Sequence, residues 1–451
     1  MRVLAKDIVK AVIDGQGTGE KADAEVEVSG WVHRIRDMGG ITFVILRDRS
    51  GTLQLVLDEK PVDAGGRPLT LESVITVRGK PALNDKAPGG CELKVSSLQI
   101  LSRALPDLPY QVNGDISRTG LEAILDNRSL SLRNPKIRAI FKIQATIIEA
   151  FSAHLRSLDF TEIKSSKLTA GSTEGGTELF EVEYFDRKVY LAQSPQLYKE
   201  TMVAAGLERV FEVAPAYRAE KHDTPRHLNE YVSMDVEMGF IESELELIEL
   251  EKGLLTHIFE EVARKNGPEL EMWGAAVPSA EMVGKSPTIP YEEAVKIAND
   301  EAAKTKGGSA RIFDINPEAE RLVCAWSLRE HGSDLVFVNE FPRRYRPFYT
   351  YPKDTADGAA VSTMSFDALF RGLEITTGGR RQHDYNALVE TLPRFGLKAE
   401  NMTGFLSVFK YGCPPHGGFA IGCERLTQKI LGLANVKEAS LFPRDRKRVE
   451  P

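Results

Sequence analysis

The stretch VFEVAPAYRAEKHDTPRHLNEYVSMDVEMGFI, Val210 to Ile241, gathers Arg218, Glu220, His222, Arg226, His227, Tyr231, Asp235 and Glu237. Apolar alternation at both ends around a His/Arg-rich middle predicts two antiparallel strands joined by a long polar loop. So many ionisable groups on one inner face are costly to bury unless they pair with each other or with a ligand. A ligand of mixed charge, such as a nucleotide together with an amino acid, would satisfy both signs.

The rest of the chain must hold that stretch in place. Its 451 residues, 42% hydrophobic and 27% charged, fit a globular protein of two or three domains. No apolar run is long enough to cross a bilayer, and the N-terminus MRVLAKDIVKAVIDG lacks a signal-peptide core, so the cytoplasm is the expected location. Cys91, Cys324, Cys413 and Cys423 are far apart with no CxxC pair, which supports neither a zinc knuckle nor a disulfide framework. The net charge of −7 argues against a surface coated in basic residues, but leaves room for local patches such as Arg380 with Arg381.

Between Glu25 and Leu101, strand-like runs at VEVSGWV, ITFVILRD, TLQLVLDE, VITVRGK and ELKVSSLQIL suit a small Greek-key barrel of the OB type. Such barrels bind single-stranded nucleic acid through aromatics and arginines, and Arg36, Phe43 and Gln54 are the natural contact set. Phe43 in an apolar strand fits a core position equally well. We place the barrel at residues 1–105, a Pro/Gly/Asp-rich hinge at 106–134, and a larger domain at 135–451. That domain opens with a helix whose Ile137, Ile140, Phe141, Ile147, Ile148, Phe151 and Leu155 recur at helical spacing. A second helix begins at a Ser243-x-x-Glu246 capping box. Strands such as LVFVNEF and GLEITTGG then interleave with helices, giving an α+β domain around an antiparallel sheet.

Motifs spread along the chain align with one family. TEGGTELF, LAQSPQLYKE, YRAEKHDTPRHLNEYVSMDVEMGF, RPFYTYP, SFDALFRGLEITTGGRRQHDY, YGCPPHGGF and GCERL with LFPRDRKR follow GWVHRIRDMGG and FVILRDRSG in the family's order. The large domain resembles class II aminoacyl-tRNA synthetases, and the chain from about Val28 onward resembles aspartyl-tRNA synthetases of the archaeal/eukaryotic type. The resemblance implies an anticodon-binding barrel, a six- or seven-stranded antiparallel sheet flanked by helices, and a homodimer. It also implies ATP, L-aspartate and tRNA(Asp) as substrates, with Mg2+.

Aspartate would attack the α-phosphorus of ATP, and the tRNA ribose hydroxyl would then take the aspartyl group. Neither step needs a protein nucleophile, so positioning and matched cations must carry the rate. By resemblance, Arg218 bridges the α-phosphate and the substrate carboxylate, and Arg425 holds the γ-phosphate and lies against adenine, which Tyr231 stacks from the other side. Glu220, Arg226, His227 and Leu228 line the nucleotide loop, with Gly422, Cys423 and Glu424 completing the ATP set. Asp367 and Glu374 with Thr377 correspond to the magnesium site. Lys199 and Arg381 clamp the aspartate β-carboxylate; Glu174, Gln196 and Asp235 accept from its α-amino group, and Thr377 belongs to the aspartate set as well. Gly175 and Gly176 make the Glu174 loop a lid.

In the barrel the resemblance turns Phe43, Arg36 and Gln54 toward the anticodon. His33 stands where relaxed members carry His rather than Trp, which extends the expected partners to tRNA(Asn); Leu83, near the second position tied to this choice, has neither residue expected there. Three departures stand out: Ser166 for the motif 1 proline, Ala420 for the glycine after GGF, and Arg381-Gln382-His383 for RIH. Two other readings compete. Against a catalytically degenerate RNA-binding protein stand Arg218, Arg425, Glu374 and Lys199; against an amide-forming relative stands the complete barrel. A ligase strict for tRNA(Asp) differs only in the barrel.

Overall fold

The structure is a computed structural model that describes residues 3–14, 24–171, 178–304, 311–353 and 362–450. The chain divides into two compact units, Met1–Ser131 and Leu132–Pro451.

The first unit holds helix α1 (Ala5–Ile13) and strands β1 (Val26–Asp37), β2 (Thr42–Arg47), β3 (Thr52–Leu57), β4 (Val74–Leu83) and β5 (Cys91–Ser102). They close into a barrel in the order β1-β2-β3-β5-β4, as the sequence predicts. Period-two alternation sends Val28, Val32, Val44, Leu46, Leu53, Leu55, Ile75, Val77 and Leu93 inward, and α1 adds Ala5, Ile8 and Val12 to the same core. Two short helices, α2 (Leu121–Asp126) and α3 (Arg128–Ser131), end the unit.

The second unit opens with α4 (Pro135–Ser157), started by the Asn134 cap with proline in the first turn. Strands β6 (Thr161–Glu162), β7 (Leu168–Thr169), β8 (Glu181–Tyr184) and β9 (Arg187–Leu191) follow, then α5 (Gln196–Met202). Next come β10 (Arg209–Tyr217), β11 (Glu230–Gly239) and α6 (Glu244–Lys265), whose capping box is formed by Ser243 and Glu246. Further strands are β12 (Thr288–Pro290), β13 (Leu335–Asn339), β14 (Pro352–Lys353), β15 (Ser362–Thr363), β16 (Ser365–Phe370), β17 (Leu373–Arg380) and β18 (His416–Gly422).

The main sheet runs β12-β13-β16-β17-β18-β11-β10-β6. Its six central strands are antiparallel, but β12 and β6 pair parallel at the two edges. The sheet is therefore mixed and eight-stranded, wider than the resemblance implies, because strands of two or three residues leave no periodicity to read.

One sheet face is apolar: Phe211, Met234, Val236, Phe366, Ala368, Phe419 and Ile421 pack with α4, α6 and the helix Cys423–Leu431. The other face takes the alternate residues, and along β11 these are Ser233, Asp235 and Glu237. A bulge between Ala368 and Leu369 shifts the β16/β17 register beside Glu374. On the helix side, Glu251 of α6 is fully buried and accepts from Thr376 Oγ1 at 2.6 Å. Burial pushes its carboxyl up to about 8.

Candidate active site

The polar sheet face and the β10–β11 loop enclose a cavity of about 690 Å³. The loop is tied at its root: Arg218 N–H donates to Asn229 O at 2.9 Å, and Asn229 Nδ2 donates to Arg218 O at 2.6 Å and Glu220 O at 3.0 Å. The Arg218 guanidinium lies 5.5 Å from the Tyr231 ring centroid. Arg226 Nη2 reaches both Glu320 oxygens at 2.6 Å. His227 Nδ1 meets Thr224 Oγ1 at 2.6 Å, and burial, helped by Arg425 and Arg226 and opposed by Glu220, holds the ring below its usual pKa. All of these side chains except Thr224, Asn229 and Glu320 line the cavity, as does Leu228.

At the closed end, Gln196, Lys199 and Glu200 share one buried face of α5, at the i, i+3, i+4 spacing of a helix. Lys199 Nζ lies 3.1 Å from Asp235 Oδ1 and 3.3 Å from Glu237 Oε2. Arg381 Nε donates to Glu237 Oε1 at 3.0 Å, and its Nη2 donates to Gly418 O at 3.0 Å and Gln196 Oε1 at 3.3 Å. Burial opposes the Glu237 charge, but Arg381 and Lys199 outweigh it and hold the carboxyl below its usual range. Two cations and two carboxylates thus sit closed to solvent around one corner of the cavity. Gly418 makes this possible: a Cβ there would lie 2.0 Å from Val236 O and 2.4 Å from Glu237 Oε2.

The opposite end pairs carboxylates with arginines. Arg425 Nη1 donates to Glu374 Oε1 at 3.2 Å and to Glu374 O at 3.1 Å, and Thr377 Oγ1 donates to the same Oε1 at 3.3 Å. Asp367, the register partner of Thr377, accepts from Arg346 Nη2 at 2.8 Å. Burial outweighs that arginine, and with Glu374 alongside it pushes the Asp367 carboxyl up to about 7. Among the described residues no group of three or more His, Cys, Asp or Glu could hold a metal. Two carboxylates and a hydroxyl are nonetheless a donor set that suits a hard cation sharing its remaining positions with phosphate and water.

On the barrel, Arg36 and Phe43 are direct register partners on β1 and β2, and Phe43 is half-buried outside the apolar core. Gln54 of β3 pairs with Ile45, two residues along β2 from Phe43, so it shares that face. Glu92 accepts from Gln54 Nε2 at 3.1 Å and from Asn84 Nδ2 at 2.6 Å, while Leu83, register partner of Cys91 at the end of β4, is exposed. His33 Nδ1 lies 2.7 Å from Arg47 Nη1, and Arg47 is itself buried against Glu72 at 2.7 Å.

The sequence family described as class II tRNA synthetases (D, K and N) matches residues 120–446, and that described as the OB-fold nucleic acid binding domain matches 26–101. The chain belongs to the class II tRNA synthetases. It is 46% identical, over 100% of both chains, to the aspartate–tRNA(Asp/Asn) ligase of Thermus thermophilus. To the aspartate–tRNA(Asp) ligase of Pyrococcus horikoshii it is 40% identical, over 96% of this chain and 98% of the other. The crystal structure of Pyrococcus horikoshii asparaginyl-tRNA synthetase complexed with asparaginyl-adenylate matches with a TM-score of 0.86 at 27% identity, over 100% of both chains.

Within this class II synthetase most of the expected site residues share one cavity wall: Arg218, Glu220, Arg226, His227, Leu228 and Tyr231 from the hairpin, Gln196 and Lys199 from α5, and Asp235, Glu374, Thr377, Arg381, Gly422, Glu424 and Arg425. Cys423 is placed elsewhere; its thiol is buried in the apolar core on the far side of the sheet. Glu424 turns its carboxylate to the Val232 N–H, at 3.1 and 3.0 Å, and burial pushes it up to about 7. Asp367 stands behind Thr377, outside the cavity lining. Glu174, Gly175 and Gly176 lie outside the described residues. The expected set omits Glu237, the carboxylate between the two buried cations, and Glu200 behind them. Alternation along Ser233, Asp235 and Glu237 marked the first, and helical spacing from Gln196 marked the second.

Proposed function

We infer that this synthetase uses ATP to join L-aspartate to tRNA through an aspartyl-adenylate. The observation that carries the choice of amino acid is the buried pair of cations, Lys199 and Arg381, at the closed end of the cavity. A β-carboxylate presents only acceptors to these donors, whereas a neutral amide turns one end as a donor against them. Arg381 Nη1 has no hydrogen-bond partner among the described residues, which leaves a guanidinium edge for that carboxylate.

In this reading Asp235 and Gln196 hold the α-amino group, joined by Glu174. Arg218 spans the amino-acid carboxylate and the α-phosphate, and gathers the charge that builds on phosphorus. Tyr231 stacks on adenine with Arg425 on its other face, while Glu220 accepts from the adenine amino group. Glu374 and Thr377, backed by Asp367, would hold Mg2+, whose chemistry is to neutralise the triphosphate and draw charge toward the leaving pyrophosphate. The barrel residues Arg36, Phe43 and Gln54 receive the anticodon. We extend the reading to tRNA(Asn), which is supported by His33 and by the name of the 46%-identical Thermus relative. Homodimerisation and a cytoplasmic location complete the proposal; no described helix is long and apolar enough to cross a membrane.

Charging of tRNA(Asp) and tRNA(Asn) transcripts with labelled aspartate, run beside aspartate-dependent exchange of pyrophosphate into ATP, tests it. Exchange and charging of both transcripts are expected. Charging of tRNA(Asp) alone overturns the relaxed reading, and absence of exchange overturns the ligase itself.

A further inference from the structure

Behind the cavity wall lies an ion pair that touches none of the cavity. His416, first residue of β18, is fully buried; its Nε2 faces Glu200 Oε2 at 3.2 Å, and its Nδ1 faces Pro414 O at 2.9 Å with Cys413 Sγ further off at 3.6 Å. A carboxylate and a carbonyl can only accept, so both ring nitrogens carry protons and the ring is an imidazolium. Burial opposes that charge, but Cys413 and Glu200 outweigh it and raise the ring to about 10.

The other Glu200 oxygen, Oε1, accepts from Gln196 Nε2 at 2.7 Å, and Gln196 Oε1 accepts from Arg381 Nη2 at 3.3 Å. The two ends of the Gln196 amide are thereby assigned by chemistry. Glu200 accepts only and Arg381 donates only, so one orientation satisfies both and the flipped one satisfies neither. A second tie joins the same parts, since Arg381 N–H donates to His416 O at 2.8 Å.

We propose that Glu200 and His416 are positioning residues for amino-acid choice: their ion pair locks the Gln196 amide with its oxygen toward Arg381, and so aims the guanidinium that meets an acidic side chain. The inference rests on the aspartate reading above. With Glu200 neutral, the Gln196 amide is free to turn, set its NH2 group against the guanidinium, and push Arg381 off its line. Aspartate binding should suffer while the ATP end of the cavity, at the opposite ends of β17 and β18 from Arg381 and His416, stays as it is.

Pyrophosphate exchange by the full-length protein and its Glu200→Gln variant, with aspartate and then ATP varied, reads this out. An aspartate KM raised about tenfold with the ATP KM within about twofold is expected, as for one lost charge-assisted hydrogen bond. In a Gln196→Ala background the same substitution should add almost nothing, because the pair acts through that amide. Unchanged aspartate KM, equal rises in both KM values, or an undiminished effect without Gln196 each overturn the proposal. If Glu200→Gln does not fold, His416→Gln, which keeps a donor toward Glu200 but loses the charge, carries the same expectations and refutations. Wild-type protein that shows no aspartate-dependent exchange overturns the ligase reading instead.

Discussion

Arg381 Nε donates to Glu237 Oε1 at 3.0 Å, with both side chains closed to solvent and Lys199 3.3 Å from the other Glu237 oxygen. A carboxylate shared in this way keeps two cations in a wall that could not otherwise tolerate them. Glu237→Ala removes it, leaving Arg381 without a carboxylate partner among the described residues and Lys199 with Asp235 alone, which should cost about 3–5 kcal/mol of folding free energy. Guanidinium unfolding monitored by fluorescence measures it; a loss below about 1 kcal/mol would show that the cations do not depend on Glu237.

Arg381→Ala takes away the guanidinium edge that meets the β-carboxylate. Aspartate-dependent exchange should fall by about a hundredfold or more, the cost of truncating one partner of a buried charge pair. Filter binding of tRNA should stay near the wild-type value, since the anticodon contacts are assigned to the barrel. Parallel loss of both activities refutes the role given to Arg381.

Tyr231 stands 5.5 Å beneath the Arg218 guanidinium in the cavity wall. Stacking of a base on an aromatic ring contributes about 1–3 kcal/mol, so Tyr231→Ala should raise the ATP KM roughly tenfold or more. The aspartate KM should move much less, and an equal rise in both would place Tyr231 outside the adenine site.

Glu251 makes a prediction about pH. Its carboxyl lies at about 8 in the fold against an ordinary value of 4.5, so between those values the native protein holds a proton that the unfolded chain has released. The resulting stability is fully present below pH 4.5 and is lost as the pH rises through about 8. Thermal melts across that window should show a smaller decline for Glu251→Gln than for the wild type, by on the order of a few kcal/mol in total. Asp367 and Glu424, both raised to about 7, act in the same direction; the Glu424 share cancels when the variant's curve is subtracted, whereas Asp367, whose charge helps to raise Glu251, contributes to the difference. Superimposable curves would mean that Glu251 is ionised in the fold.

What the sequence disclosed follows from periodicity. The β10–β11 hairpin, the barrel strands and the α6 capping box each leave a local pattern, and each is found in the structure. The edge strands β6 and β12 do not, because two or three residues complete no repeat. Cys423 lies at a change of period: β18 ends at Gly422 and a helix begins at the next residue, so neighbours from Gly422 to Arg425 no longer alternate in direction and the thiol turns into the core. Glu237 could be seen as a charge on the right face, but its partner Arg381 lies 144 residues further along the chain. His416 and Glu200 are 216 residues apart, and only the pairing of β18 with its neighbours brings them together.

Position 418 governs that corner by being small. With a methyl group at that position forced to within 2.0 Å of Val236 O and 2.4 Å of Glu237 Oε2, either the strands part or the carboxylate leaves. A Gly418→Ala change alters no charged or polar side chain, yet it should disperse the cations that recognise an acidic substrate. Efforts to retrain this enzyme toward another amino acid therefore meet a steric gatekeeper before they meet an electrostatic one, and libraries that vary only the charged residues will explore a space that this glycine has already bounded.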